Sequence, residues 1–127
     1  MMKKIFYIAL LSLLLFGVTM AEKKKDEKKK KVYWIDVRAE NEFEDGHIKG
    51  AINIDYNMIR YKIKKVTKDK EAEIHLYCKT GYRAGKALKT LKAMGYTKGV
   101  NEGKYAEIKA KLKKEAEDKK KKKDKKK

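Results

Sequence analysis

The chain reads as an α/β domain with a central parallel sheet and helices on both faces. Three observations predict this. From Val32 onward, short β-branched and aromatic runs alternate with stretches whose apolar residues recur at helical spacing. The first of those runs, VYWIDV from Val32 to Val37, is apolar on both faces, as a strand covered from both sides must be. The chain also has only 127 residues and no internal repeat, which leaves room for one domain.

The elements follow in order. Val32–Val37 is the first strand, with Asp36 and Arg38 at its carboxyl end. Asn41–Asp45 makes one short helical turn, closed by Gly46. Ala51–Asp55 (AINID) is a second short strand. From Tyr56 to Val66 the residues Met58, Ile59, Ile63 and Val66 form an apolar stripe, while Arg60, Lys62, Lys64 and Lys65 occupy the other face, so this is an amphipathic helix. Glu73–Cys78 is the third strand. Ala84, Ala87, Leu88, Leu91 and Met94 mark a second helix that Gly95 terminates. Gly99–Asn101 is a fourth strand, and Lys104–Leu112 is a last helix with Tyr105, Ile108 and Leu112 inward.

The ends of the chain are read differently. Residues 1–21 carry Lys3-Lys4, an apolar run from Ile5 to Val18 and then Thr19-Met20-Ala21, the pattern of a cleavable signal peptide. That run is short for a membrane span of about 20 residues, so an uncleaved anchor is the weaker alternative. The protein is therefore expected to be periplasmic or secreted. Residues 22–31 form a lysine-rich linker and residues 113–127 a lysine-rich tail, both too charged and too poor in apolar residues to pack, and both expected to be disordered. The folded domain is placed at 32–112.

Much of the formal net charge of +18 belongs to these ends. Val32 to Ala110 holds 16 basic and 11 acidic residues, so the folded part is only mildly basic. Solvated, solubilising tails are the simpler reading, with weak contact to anionic surfaces as the alternative. An exported chain without a stacking platform does not read as a nucleic-acid binder.

Cys78 is the chain's single cysteine, so it has no internal disulfide partner. It ends the third strand. Lys79, Thr80, Gly81, Tyr82 and Arg83 follow, and then a helix begins. A thiol at that junction lies where backbone N–H groups converge and at the positive end of the helix dipole. Both favour the thiolate, which is the nucleophilic form. Gly81 lets the loop curl so that successive amides face one centre, an anion-binding nest. Arg83 can fork to an oxyanion or brace the loop from behind, and Lys79 adds positive potential at the mouth. Two substrate classes fit such a cradle: phosphate esters, and sulfur anions that carry a sulfane sulfur.

The motifs resemble those of the single-domain rhodaneses, a sulfurtransferase family, and most of all its exported phage-shock protein E type. One signature is Trp34-Ile35-Asp36-Val37-Arg38, with Glu42-Phe43 and Gly46-His47-Ile48-Lys49-Gly50-Ala51-Ile52-Asn53-Ile54. The other is Tyr77-Cys78-Lys79-Thr80-Gly81-Tyr82-Arg83-Ala84-Gly85, continuing to Met94-Gly95-Tyr96. The resemblance spans essentially Val32 to Ile108 and implies a rhodanese-like fold. It implies that Cys78 takes a sulfane sulfur from thiosulfate or a similar donor as a persulfide and passes it to cyanide or a thiol. A persulfide carrier with little turnover of its own is the alternative. The resemblance also implies that Lys79, Thr80, Gly81, Tyr82 and Arg83 bind substrate. Related phosphatase loops hold five residues between cysteine and arginine. Here there are four, Lys79 to Tyr82, which favours sulfur. No cofactor is implied and a monomer is expected. Lys79 stands where many relatives carry arginine, Tyr82 is bulky for a loop residue, and Gly103 is followed by Lys104-Tyr105 where relatives often have two glycines.

Other residues read as structural. His47 is expected to make architectural hydrogen bonds, and His75, in mid-strand, to be a core or edge residue. Asp36 and Arg38 are expected to pair and brace neighbouring loops, and Trp34 to be core. One cysteine and two separated histidines support no metal site.

Overall fold

The computed structural model describes residues 30–126. The segment read as a signal peptide and nearly all of the lysine-rich linker lie outside the described residues. The strands are β1 (Val32–Asp36), β2 (Ile52–Asn53), β3 (Glu73–Cys78) and β4 (Gly99–Lys104), and the helices are α1 (Glu40–Glu44), α2 (Ile59–Val66), α3 (Tyr82–Ala93) and α4 (Tyr105–Asp124). The four strands form one sheet in the order β2-β1-β3-β4, with every neighbouring pair parallel.

Strand alternation decides which side chains meet which helices. On one face Ile35, Val37, Ile74, Leu76 and Cys78 pack under Ile59 and Ile63 of α2 and Ala84, Ala87 and Leu91 of α3. This is the main core. On the other face Tyr77 packs with Ile48 and with Ile108 of α4, flanked by half-buried Trp34 and Tyr105. The sheet is thus covered from both sides, which is why its central strands read as nearly continuous apolar runs.

Several elements differ from the sequence reading. The second strand is only Ile52–Asn53, because the Asp55 carboxylate accepts the Asn57 N–H and starts a 3₁₀ turn, Tyr56–Met58. Met58 is consequently turned outward, 39 % exposed, rather than inward on the α2 stripe. The fourth strand extends to Lys104, with a register shift against β3 at Leu76/Tyr77: Leu76 lies beside Asn101 and Tyr77 beside Gly103, so Glu102 is an extra residue.

The largest difference is at the C-terminus. The helix expected to stop at Leu112 runs to Asp124, so most of the tail expected to be disordered is helical, and Leu112 is 44 % exposed rather than inward. The sequence reading tied a helix to an apolar stripe, but a helix already nucleated by a docked first turn needs none to propagate. Lysine, glutamate and alanine are good helix formers. Glu115/Lys119, Glu117/Lys121 and Asp118/Lys122 are spaced i,i+4 with the acid first, and lysines crowd the last turn where the dipole favours them.

This division of labour is open to measurement by urea denaturation. Leu76→Ala, at the fully buried centre of the sheet, should cost about 2–5 kcal/mol of stability. Among the described residues none after Ile108 is buried, so removing Lys113–Lys127 should change stability by no more than about 0.5 kcal/mol.

Candidate active site

Cys78 sits at the carboxyl end of β3, between β1 and β4, where a parallel sheet opens toward ligands. Its side chain is buried. The chain then reverses through Lys79, Thr80 and Gly81 into α3. Gly81 has φ +94°, the left-handed region that side chains disfavour, and a Cβ there would lie 3.5 Å from the Gly103 Cα. This turn brings two amides onto the sulfur: Gly81 N–H donates to Cys78 Sγ at 3.0 Å and Ala84 N–H at 3.4 Å. Both belong to the first turn of α3 or its cap, so the dipole of a twelve-residue helix points at the same atom.

The loop is tied down from two sides. Asn101, on β4, donates from Nδ2 to the Gly81 carbonyl at 3.0 Å and accepts the Gly103 N–H on Oδ1 at 2.9 Å. Arg83 forks onto Glu42 of α1, Nη1 to Oε2 at 2.6 Å and Nη2 to Oε1 at 3.0 Å. Glu42 also accepts the Ala39 N–H at 3.1 Å. The Arg83 hydrogen bonds draw the Glu42 carboxyl down to about 2, against the opposing effect of partial burial and with help from the Ala39 amide. Glu42 in turn holds the Arg83 guanidinium above its ordinary value.

Residues 19–111 match the family model of the rhodanese-like domain. The chain belongs to the rhodanese family. It is 36 % identical over 76 residues to the thiosulfate sulfurtransferase PspE of Escherichia coli, an alignment covering 60 % of this chain and 73 % of that protein. It is 40 % identical over 72 residues to the uncharacterized protein YqhL of Bacillus subtilis, covering 57 % of this chain and 56 % of that one. Among solved structures it resembles an E. coli rhodanese with anions (TM-score 0.58, 34 % identity, 60 % of this chain and 89 % of that chain). It also resembles the human single-domain sulfurtransferase TSTD1 (TM-score 0.56, 25 % identity, 81 % and 91 %). The expected single-domain rhodanese fold is therefore the observed one.

In this rhodanese the site residues named from sequence divide into groups. Gly81 supplies an amide to the sulfur, while Lys79 and Thr80 are exposed on the loop's outer surface. Tyr82, 66 % exposed, opens α3 and projects outward. Of the two roles open to Arg83, its side chain occupies the bracing one. Asp36 and Arg38 pair as expected: Arg38 reaches Asp36 Oδ2 from Nη2 at 2.7 Å and Oδ1 from Nε at 3.0 Å, and gives a further Nη2 bond to the Gly46 carbonyl at 2.7 Å. The Arg38 guanidinium also lies over Tyr105, 4.3 Å from the ring centre. All of these contacts lie within the scaffold.

Neither histidine meets the sulfur. The His47 Nδ1 lies 2.9 Å from the Phe43 carbonyl and its ring stacks on Phe43. His75 stacks on Trp34 between Glu73 and Glu102, on the sheet face opposite Cys78. Trp34 is half-buried on that same face rather than in the main core. A cavity of about 920 Å³ lies at the other end of the sheet, lined by residues such as Tyr33, Val66 and Asp69, and includes none of the loop.

Asn101 and the Glu42–Arg83 fork were not picked out from sequence. Their partners are 20 and 41 residues away, a distance that spacing rules do not reach. The only local sign of Asn101 is an amide side chain two residues before a glycine near a strand end.

Two outcomes follow for the brace. Asn101→Ala removes two hydrogen bonds, worth about 1 kcal/mol each. It should raise hydrogen exchange at the Gly81 and Ala84 amides and leave exchange in β1 unchanged. For Glu42 the folded-state value is depressed, so its contribution is full above about 4.5 and is lost as pH falls from there toward about 2. Glu42→Gln should therefore destabilise at pH 7 and converge with the unaltered protein near pH 2, as read from urea midpoints across pH.

Proposed function

We propose that this rhodanese is a thiosulfate sulfurtransferase that works through a persulfide on Cys78. The observation that carries the reading is the pair of amides, Gly81 and Ala84, directed at a single sulfur from a loop braced at both ends. Fixed donors aimed at a sulfur favour negative charge there, both on the attacking thiolate and on the persulfide that replaces it.

In the first step the Cys78 thiolate attacks the outer sulfur of thiosulfate. A Cys78 S–S bond forms, the sulfur–sulfur bond of thiosulfate breaks, and sulfite leaves with the electron pair, so no proton is required. In the second step cyanide or a thiolate attacks the terminal persulfide sulfur and carries it off as thiocyanate or a new persulfide, and the Cys78 thiolate is regenerated. Lys79, exposed beside the site, supplies positive potential for the dianionic donor. Gly81 and Ala84 hold the charge, Thr80 and Tyr82 form the loop's outer face, and Arg83 keeps the cradle's shape through Glu42.

The second reading is a persulfide carrier that loads but turns over slowly alone. It is favoured by the burial of Cys78 and by a hydrogen-bond shell of backbone amides only among the described residues. We also propose that the protein is exported and acts as a monomer. Export rests on the segment 1–21. No described helix is long and apolar enough to cross a membrane.

Intact mass spectrometry tests the central claim. Thiosulfate should add one sulfur to the protein, cyanide should remove it as thiocyanate, and Cys78→Ser should abolish both. No mass gain with a free, alkylatable Cys78 would sink the persulfide reading. Stoichiometric loading with negligible steady-state thiocyanate would select the carrier.

A further inference from the structure

The two flanks of the Cys78 loop carry opposite charge. On the α1 side a cavity of about 510 Å³ is lined by Glu40, Glu44 and Asp55, with one cation, Lys62. On the α2–α3 side two adjoining depressions of about 270 and 430 Å³ share Arg60, Lys86 and Thr90, and every charged residue lining them is a cation: Arg60, Lys86 and Lys89.

This basic side is continuous with the loop. The Lys86 ammonium lies 4.8 Å from the centre of the Tyr82 ring and 5.9 Å from that of Tyr56. Tyr61 and Tyr82 are 69 % and 66 % exposed and Met58 is 39 % exposed, the amphipathic and soft side chains that serve as anchors in protein interfaces. From Tyr82 to Ala93 the surface extends about 16 Å along α3. A small thiol needs only the mouth of the loop. A shallow, aromatic and uniformly basic stripe of that length fits a macromolecule.

We propose that the α2–α3 surface, centred on Arg60, Lys86 and Tyr82, docks an acidic partner protein that presents its own cysteine to the Cys78 persulfide. This rests on the sulfur-transfer reading and names its acceptor class. The partner's acidic patch meets Arg60, Lys86 and Lys89, while the carboxylates of the α1 side repel it from the wrong approach. The partner thiolate attacks the terminal sulfur of the Cys78 persulfide. The S–S bond to Cys78 breaks, the partner's S–S bond forms, and Cys78 leaves as thiolate, with no net oxidation.

The test starts from the full chain already loaded with sulfur. Two probe peptides, EEGCGEE and KKGCGKK, accept sulfur from it at low salt, and transfer is followed by mass. The acidic peptide should react at least about tenfold faster, with the advantage fading as salt is added. The triple reversal Arg60→Glu, Lys86→Glu, Lys89→Glu, at exposed positions, should remove most of that advantage and leave discharge by cyanide within about twofold.

A control of equal charge change, Lys113→Glu, Lys119→Glu, Lys121→Glu on α4, should keep the advantage. Equal rates for the two peptides would overturn the proposal, since no acidic preference would exist, and so would an equal loss in the α4 control, since net charge alone would then explain the preference. Titrating the unloaded protein with EEGSGEE in amide NMR gives a readout that needs no sulfur. Shifts should gather at Tyr61, Tyr82, Lys86 and Thr90, and shifts confined to α4 or spread evenly would also overturn it. Failure of thiosulfate to load Cys78 would defeat the sulfur-transfer reading, and the NMR map would still decide the surface.

Discussion

Pairing of β3 on both edges is the constraint from which the site follows. Ile74, Leu76 and Cys78 point into the main core, while β1 and β4 hold the strand's backbone from either side. With its register held there, the strand has no freedom to slide, because a shift of one residue would turn His75 and Tyr77 into the main core and move Leu76 to the opposite face. Cys78 is therefore delivered to one point at the sheet's carboxyl edge. The loop after it has only to close over that point, and Gly81, with its positive φ, allows it to do so within three residues.

A buried polar framework holds the neighbouring loops. Asp36 and Arg38 neutralise each other at the end of β1, Arg38 continues to the Gly46 carbonyl, and Asn53 donates to the carbonyls of both Asp36 and Arg38. Tyr77 receives the Ile48 N–H, and Tyr105 covers the Arg38 guanidinium. No buried side-chain nitrogen or oxygen is left without a partner among the described residues. Such a framework is costly to break at one member, since the remaining charge would be buried and unpaired. The Tyr105 ring closes that side of the scaffold against Tyr77. Arg83 and Glu42 repeat the device at the loop itself, at a half-buried position.

The abundance of lysine hides an uneven distribution of charge. The C-terminal helix carries its lysines away from the core, beyond the last buried residue, Ile108. On the elements that neighbour the Cys78 loop the charges are sorted, carboxylates toward α1 and cations toward the α2–α3 groove. Fields of this kind act on encounter and orientation more than on the fold.

The sequence by itself determined the α/β class, the parallel sheet and the place of Cys78 at a strand-to-helix junction. These follow from alternation, helical spacing and glycine punctuation, all of which are local. It also marked the Asp36–Arg38 pair, whose members are two residues apart. It misjudged the end of α4, because a helix there is sustained by propensity and by i,i+4 charge pairs rather than by an apolar stripe. Only the tertiary structure decided what Arg83 holds, that Asn101 clamps Gly81 to Gly103, and that opposite charges flank the loop. Those relations join residues far apart in the chain, and the sheet order and register that bring them together are properties of the packed molecule rather than of any window of sequence.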